Sequence, residues 1–253
     1  MDVLVQGAGP TAPFLGARDV FEIDHDLDKP VHVHVRENPD ERTWAGHHDD
    51  HHVLNISRKA ATSAMARELA LHEYSHMRRH EEGHPSHTLS MDEVLFLALP
   101  GRQVEQRVLT QCYQLANHAK DIYADDITLS VGPTDKLAAF LESELAAAVS
   151  DRPSPNRDGH RITAGADTEM TAVNAAFALA LLERHDAISP TSRLYDLAHA
   201  ADEDTPHVSV DEFRDRFASF ADDPDQSTYR RELVDLVRAY VDSQPSTNGP
   251  AAD

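Results

Sequence analysis

The sequence predicts an α+β protein that is mostly α, with a small N-terminal sheet followed by a helical lobe. Two observations carry this. Alternating, β-branched runs are confined to the first 57 residues. Beyond Arg58 the chain is rich in Ala, Leu, Arg and Glu, interrupted by Gly and Pro only at intervals. A third observation bounds the size. With 253 residues, 40% of them hydrophobic, the chain can bury a real core as one large domain or two small ones.

In chain order, residues 3–6, 20–23, 31–35 and 53–57 read as strands. Residues 58–82 contain no Gly or Pro and read as one helix. Met65, Leu69, Tyr74 and Met77 mark its apolar stripe. Residues 83–91 form a loop of His, Pro and Ser. Residues 91–99 predict a short helix ended by Pro100-Gly101, and 102–129 a long one broken by Gly132-Pro133. Further helices are expected at 134–150, 166–185, 190–201, 210–221 and 227–243. Residues 151–160 are a Pro/Asp/Arg loop, and 244–253 a disordered tail by composition. The expected domains are 1–130, a metal-binding catalytic domain, and 131–243, the helical lobe, with 244–253 as tail.

Within the first long helix stands His72-Glu73-Tyr74-Ser75-His76, an HExxH motif. Histidines four apart lie about 40° from one another around a helix axis, so both imidazoles can close on one metal ion. Glu73 reaches the edge of the same site, where it can take a proton from an activated water. A strand at 53–57 followed by this helix is the expected setting. Hydrolytic zinc needs at least three protein ligands and a water. His80, Glu82, His84 and His87 are the nearest further candidates. A continuation to HExxHxxGxxH fails, because Arg79 and Glu82 occupy the last two positions.

A better candidate is Asp121-Ile122-Tyr123-Ala124-Asp125. With it the sequence resembles the gluzincin branch of zinc metallopeptidases, in which a second helix supplies an acidic ligand. One membrane-embedded subgroup, the CAAX-prenyl and heat-shock peptidases, writes that helix ExxAD; here it is DxxAD. The resemblance is at clan level, covers about residues 50–130, and suggests a separate haloarchaeal family with a zincin-like fold. It implies that Asp121 binds Zn²⁺ with His72 and His76. It also implies that Asp125 fixes a histidine's tautomer from behind. Because Asp is one methylene shorter than Glu, the second helix must approach more closely. The resemblance also makes the strand at 53–57 the expected sheet edge, along which extended substrate would pair.

The formal net charge is −21, with Arg far outnumbering Lys. Acid excess with few lysines indicates a surface adapted to molar salt, where the Debye length is about 3 Å and self-repulsion is screened. No basic face suggests nucleic acid as a partner. The longest apolar stretch, 175–182, is far short of a membrane span, and the opening residues lack a leader pattern. Cytoplasm is therefore expected. The single cysteine, Cys112, excludes an intrachain disulfide and reads as core.

Gly7-Ala8-Gly9-Pro10-Thr11-Ala12 loosely matches a dinucleotide-binding GxGxxA, but a strand at 20–23 would leave no room for a crossover helix. His47-His48-Asp49-Asp50-His51-His52 reads as a solvated loop, with a second metal site as the alternative. Tyr113, His118 and Tyr123 lie near Asp121 in sequence and are candidate oxyanion stabilisers, Tyr123 being better suited to the core. The function expected is a soluble zinc-dependent hydrolase, a metallopeptidase acting on a peptide or protein substrate with Glu73 as base. The rival is a non-catalytic zincin-like protein with a structural metal or a partner-binding role. A fourth protein ligand such as His80 or His84 would mark the structural site. A third reading is an acidic helical interaction protein with an accidental HExxH.

Overall fold

The structure is a computed structural model describing residues 1–151 and 167–244. The expected loop at 151–160 and tail at 244–253 lie outside the described residues, apart from the first residue of each. The fold is α+β and mostly helical, with one small four-stranded sheet among the described residues. The chain forms two compact units. The first comprises Met1–Thr88 and Lys120–Thr134; the second, Leu89–Ala119 and Asp135–Asp253.

The first unit opens with β1 (Val3–Gln6), α1 (Ala12–Phe21) and β2 (Val31–Arg36). It continues through β3 (Trp44–His47), β4 (His52–Ser57), α2 (Arg58–Ala61), α3 (Ala66–Glu81) and α4 (Pro85–Thr88). Sheet order is β1-β2-β4-β3. β1 and β4 each run parallel to β2, whereas β3 and β4 form an antiparallel hairpin. Val31, Val33 and Val35 of β2 point inward, alternating with His32, His34 and Arg36. Leu54 and Ile56 of β4 join them in one core with Phe14 and Phe21 of α1 and with Ala70, Leu71, Tyr74 and Met77 of α3. Each fully buried large apolar side chain there is worth about 1.5–3 kcal/mol.

Four expectations are corrected. Residues 20–23 are not a strand, because Val20 and Phe21 end α1, with Phe21 fully buried. α1 is therefore the crossover helix between two parallel strands, for which the expected strand left no room. The turn before it is shaped by packing. Gly7 has φ +99°, and a Cβ there would come within 2.4 Å of the Val35 carbonyl oxygen. The glycine thus serves the close approach to β2. Next, residues 53–57 are not an edge strand. β4 is interior, buried at all six positions, and β3 is the edge beside it. The helix expected over 58–82 is broken into α2 and α3. Ser57 caps the Ala60 N–H, and the Thr62 hydroxyl turns back to the Arg58 and Lys59 carbonyls, ending the first turn. Finally, the stripe of α3 is Ala70, Leu71, Tyr74 and Met77, while Met65 and Leu69 are only half-buried.

In the second unit α5 (Met91–Ala98), the first part of α6 (Gln106–Val131), α7 (Thr134–Ser150), α8 (Thr168–Arg184), α9 (Arg193–Glu203), α10 (Val210–Ala218) and α11 (Gln226–Ser243) supply the helices. α8 is buried almost all round and packs against α9 and α10. Ser192, Ser209 and Asp225 cap the N-termini of α9, α10 and α11. The Ser192 cap is why α9 starts three residues later than expected. Cys112 is fully buried, as expected, and burial pushes its thiol up to about 12.

Candidate metal centre

At about 100° per residue, His72 and His76 fall on the face of α3 opposite its core stripe. The facing surface is the last part of α6, which belongs to the same compact unit. Two contacts clamp the helices together. The Thr128 hydroxyl donates to Ser75 Oγ at 3.0 Å, and Arg79 Nε donates to the Tyr123 carbonyl at 2.8 Å. Close approach here is favoured by Gly132, where a Cβ would lie 3.0 Å from a Leu71 methyl. Asp121 and Asp125, one turn apart on α6, then face the two histidines. The short Asp side chain suits this distance.

His76 Nε2 lies 3.0 Å from His72 Nε2 and 3.2 Å from Asp121 Oδ1, and His72 Nε2 lies 3.9 Å from the same oxygen. Bonds of ~2.0–2.1 Å to a tetrahedral zinc imply ligand separations of about 3.3 Å. The three separations bracket that value. These three residues form the metal-competent group among the described residues.

Hydrogen bonding and charge add to the distances. His72 Nδ1 donates to Asp125 Oδ1 at 2.7 Å, so that in the neutral ring Nε2 carries the lone pair. His76 Nδ1 is 2.8 Å from His87 Nε2. If that nitrogen accepts, the second Nε2 also presents a lone pair. Two lone pairs and a carboxylate oxygen then converge on one point. Burial opposes a positive charge on His72. The carboxylates of Asp125, Asp121 and Glu73 outweigh it and push the pKa up to about 10. The pocket thus holds positive charge strongly.

Glu73 is buried beside this group. Burial, with help from Asp121, raises its pKa above the usual carboxylate range, against the opposing pull of His72, His76 and the Ala45 N–H. That amide belongs to β3. The edge strand therefore lies over α3, and its second inward residue, His47, stacks on His80 with ring centroids 3.9 Å apart. Next to it, His52 Nε2 meets Glu81 Oε1 at 3.0 Å, and the same carboxylate accepts from the Asp28 and Lys29 amides. His47 and His52 pair across the β3–β4 hairpin, and His48, Asp49 and Asp50 between them are its exposed turn, so the loop expected at 47–52 is confined to the tip. His80 is engaged with His47, and neither it nor His84 joins the metal-competent group among the described residues.

The remaining candidates fall elsewhere. Tyr123 is fully buried, with its ring against His84. His118 stacks on Phe177 and contacts Asn174 in the second unit. Tyr113 is exposed, its hydroxyl near Asp92. Sequence reasoning missed β3 and the contact of His87 with His76. β3 is four residues long and contains Gly46, so its pattern is faint. His87 follows Gly83, which has φ +64° and ends α3 with a bond from the His84 N–H back to the Arg79 carbonyl. A glycine helix stop followed by histidines was the available signal.

Over residues 1–242 the chain matches, and belongs to, a family of unknown function, DUF5781. No curated protein and no solved structure matches it. Among the described residues no helix is long and apolar enough to cross a membrane.

Proposed function

We propose that this chain is a zinc-dependent hydrolase that cleaves peptide bonds, with a gluzincin-like centre of His72, His76 and Asp121. The observation that carries the reading is the convergence of two imidazole Nε2 atoms and Asp121 Oδ1, all within 4.8 Å, with Glu73 buried alongside. Zinc held there would polarise a substrate carbonyl and make water acidic enough to act as a nucleophile near neutral pH. Glu73 takes the proton from the attacking water and returns it to the leaving amine. Its raised affinity for protons suits both halves of that exchange. Asp125 keeps His72 oriented.

An extended peptide would lie along β3 by strand addition, because β3 is the sheet edge above the centre. The acidic, lysine-poor composition supports work in molar salt in the cytoplasm of a salt-accumulating cell.

The test is metal content of untagged protein in high salt, wild type beside His76→Ala and Asp121→Ala. About one zinc per chain, lost in both variants, is expected. A peptidase screen follows, in which Glu73→Gln keeps the metal and loses turnover. No zinc in the wild type after zinc is offered would overturn the reading. Hydrolysis retained in Glu73→Gln would overturn the mechanism.

A further inference from the structure

Behind His76 lies a chain of side chains, partly buried at His87 and buried at Ser86 and His84, that HExxH chemistry does not require. His76 Nδ1 is 2.8 Å from His87 Nε2, His87 Nδ1 is 2.8 Å from Ser86 Oγ, and Ser86 Oγ is 2.7 Å from His84 Nδ1. Each link alone could run in either direction. One further bond removes that freedom. The Ser86 backbone N–H donates to His84 Nδ1 at 3.2 Å. An amide proton cannot be relocated, so His84 Nδ1 is an acceptor.

The directions then follow in sequence. Ser86 Oγ, 2.7 Å from the same acceptor, donates its proton to His84 as well, sharing the single Nδ1 lone pair with the amide. Its oxygen is left to accept from His87 Nδ1–H. With that proton on Nδ1, neutral His87 presents a lone pair at Nε2 and accepts from His76 Nδ1–H. His76 is thereby left with a lone pair at Nε2, the atom facing His72 and Asp121. Ser86 is fully buried and His84 is nearly so, leaving little access for water to supply alternatives.

We infer that His84, Ser86 and His87 form a directed hydrogen-bond chain, anchored on the Ser86 amide, that fixes the tautomer and ring orientation of His76 for metal binding. His87 is then a positioning residue, not a ligand. The inference rests on the metal-centre reading above. It also assigns different backing to the two histidines. His72 is supported by a carboxylate, which strengthens its donation. His76 is supported by a neutral imidazole, which orients it without adding charge. The Gly83 turn, which folds α4 back onto α3, makes this contact possible.

The experiment is titration of the metal-free full-length protein with Zn²⁺ against a competing chelator, and with Co²⁺ read by its visible spectrum, in high salt. Wild type, Asp121→Ala, His87→Ala, His87→Gln, Ser86→Ala and, as a control, His48→Ala are compared. His87→Ala is expected to weaken zinc by about 10–100-fold. His87→Gln should recover much of this, because its amide oxygen can accept from His76 Nδ1–H. Ser86→Ala should cause a smaller loss, and His48→Ala none. Imidazole ¹⁵N shifts in the zinc form should place the proton of His76 on Nδ1 in wild type and in His87→Gln. Should His87→Ala fail to fold, the Gln and Ser86 variants and the ¹⁵N shifts still decide. Wild-type affinity in His87→Ala, a Gln variant no better than Ala, or a proton on His76 Nε2 would overturn the inference while leaving the centre intact. No binding by wild type would instead overturn the metal-centre reading, and this inference with it.

Discussion

Asp125→Asn isolates the charge behind His72. Asp125 Oδ1 lies 2.7 Å from His72 Nδ1, and the carboxylate is 5% exposed. That distance is at the short end for a charge-assisted N–H···O⁻ bond. Asparagine keeps the shape and an oxygen that can accept from Nδ1–H, so the tautomer and ring position of His72 survive. Only the negative charge is lost. Asp125→Ala removes both charge and acceptor, and leaves a buried N–H unpaired. Loss of such an outer partner weakens metal binding about 10–100-fold, ~1.4–2.7 kcal/mol. The Asn variant should fall near the lower figure and the Ala variant near the upper. The assay is chelator competition with zinc at one pH in high salt, with circular dichroism to confirm folding. Equal affinity in wild type and Asp125→Ala would refute the argument that this contact supports the centre. An Asn variant as weak as Ala would refute the separation of charge from geometry.

Two further outcomes follow. Gly83→Ala places a Cβ in open space at φ +64°, so its cost is backbone strain alone, about 1–2 kcal/mol; a lower denaturation midpoint with unchanged slope is expected, and no change would remove the helix-stop argument. His47 is pushed down to about 3 and His52 is also lowered, in both cases mainly by burial. Between the ordinary histidine value near pH 6.5 and those lowered values, the unfolded chain binds more protons than the folded one. The contribution to stability is therefore complete above about pH 6.5 and is lost as the pH falls toward about 3. Thermal melts of chelator-treated protein should show this slope, and His47→Gln should flatten it; an unchanged slope in that variant would count against a buried neutral His47.

Much of the architecture was legible in the chain. Residues 3–6, 31–35 and 53–57 read as strands because β-branched residues cluster there, and all three positions are strands. The breaks at Pro100-Gly101 and Gly132-Pro133 mark real helix ends, because neither residue type continues a helix easily. HExxH and DxxAD named five residues, and the structure brings all five into one compact unit. The errors were local conflicts that only packing resolves. Residues 20–23 have the composition of a strand, yet Phe21 is drawn into the core as the last turn of α1. Residues 53–57 alternate weakly because β4 is covered on both faces, which is the mark of an interior strand and not an edge.

The sequence by itself determined the chemistry on offer. Spacing along a helix puts His72 and His76 on one face, and composition sets a strong acid excess. Tertiary structure decided which groups meet. Asp121 could join the histidines only once α6 packed against α3 across Thr128, Ser75 and Gly132. β3 became the strand over Glu73 because four weakly patterned residues paired with β4. His87 came to stand behind His76 because a left-handed glycine reversed the chain between them. Periodicity reports a helix or strand face within one element. Contacts between elements depend on distances the linear pattern does not contain, so the histidine pair could be read from spacing and Asp121 and Asp125 from resemblance, while β3 and His87 had to be seen in the fold.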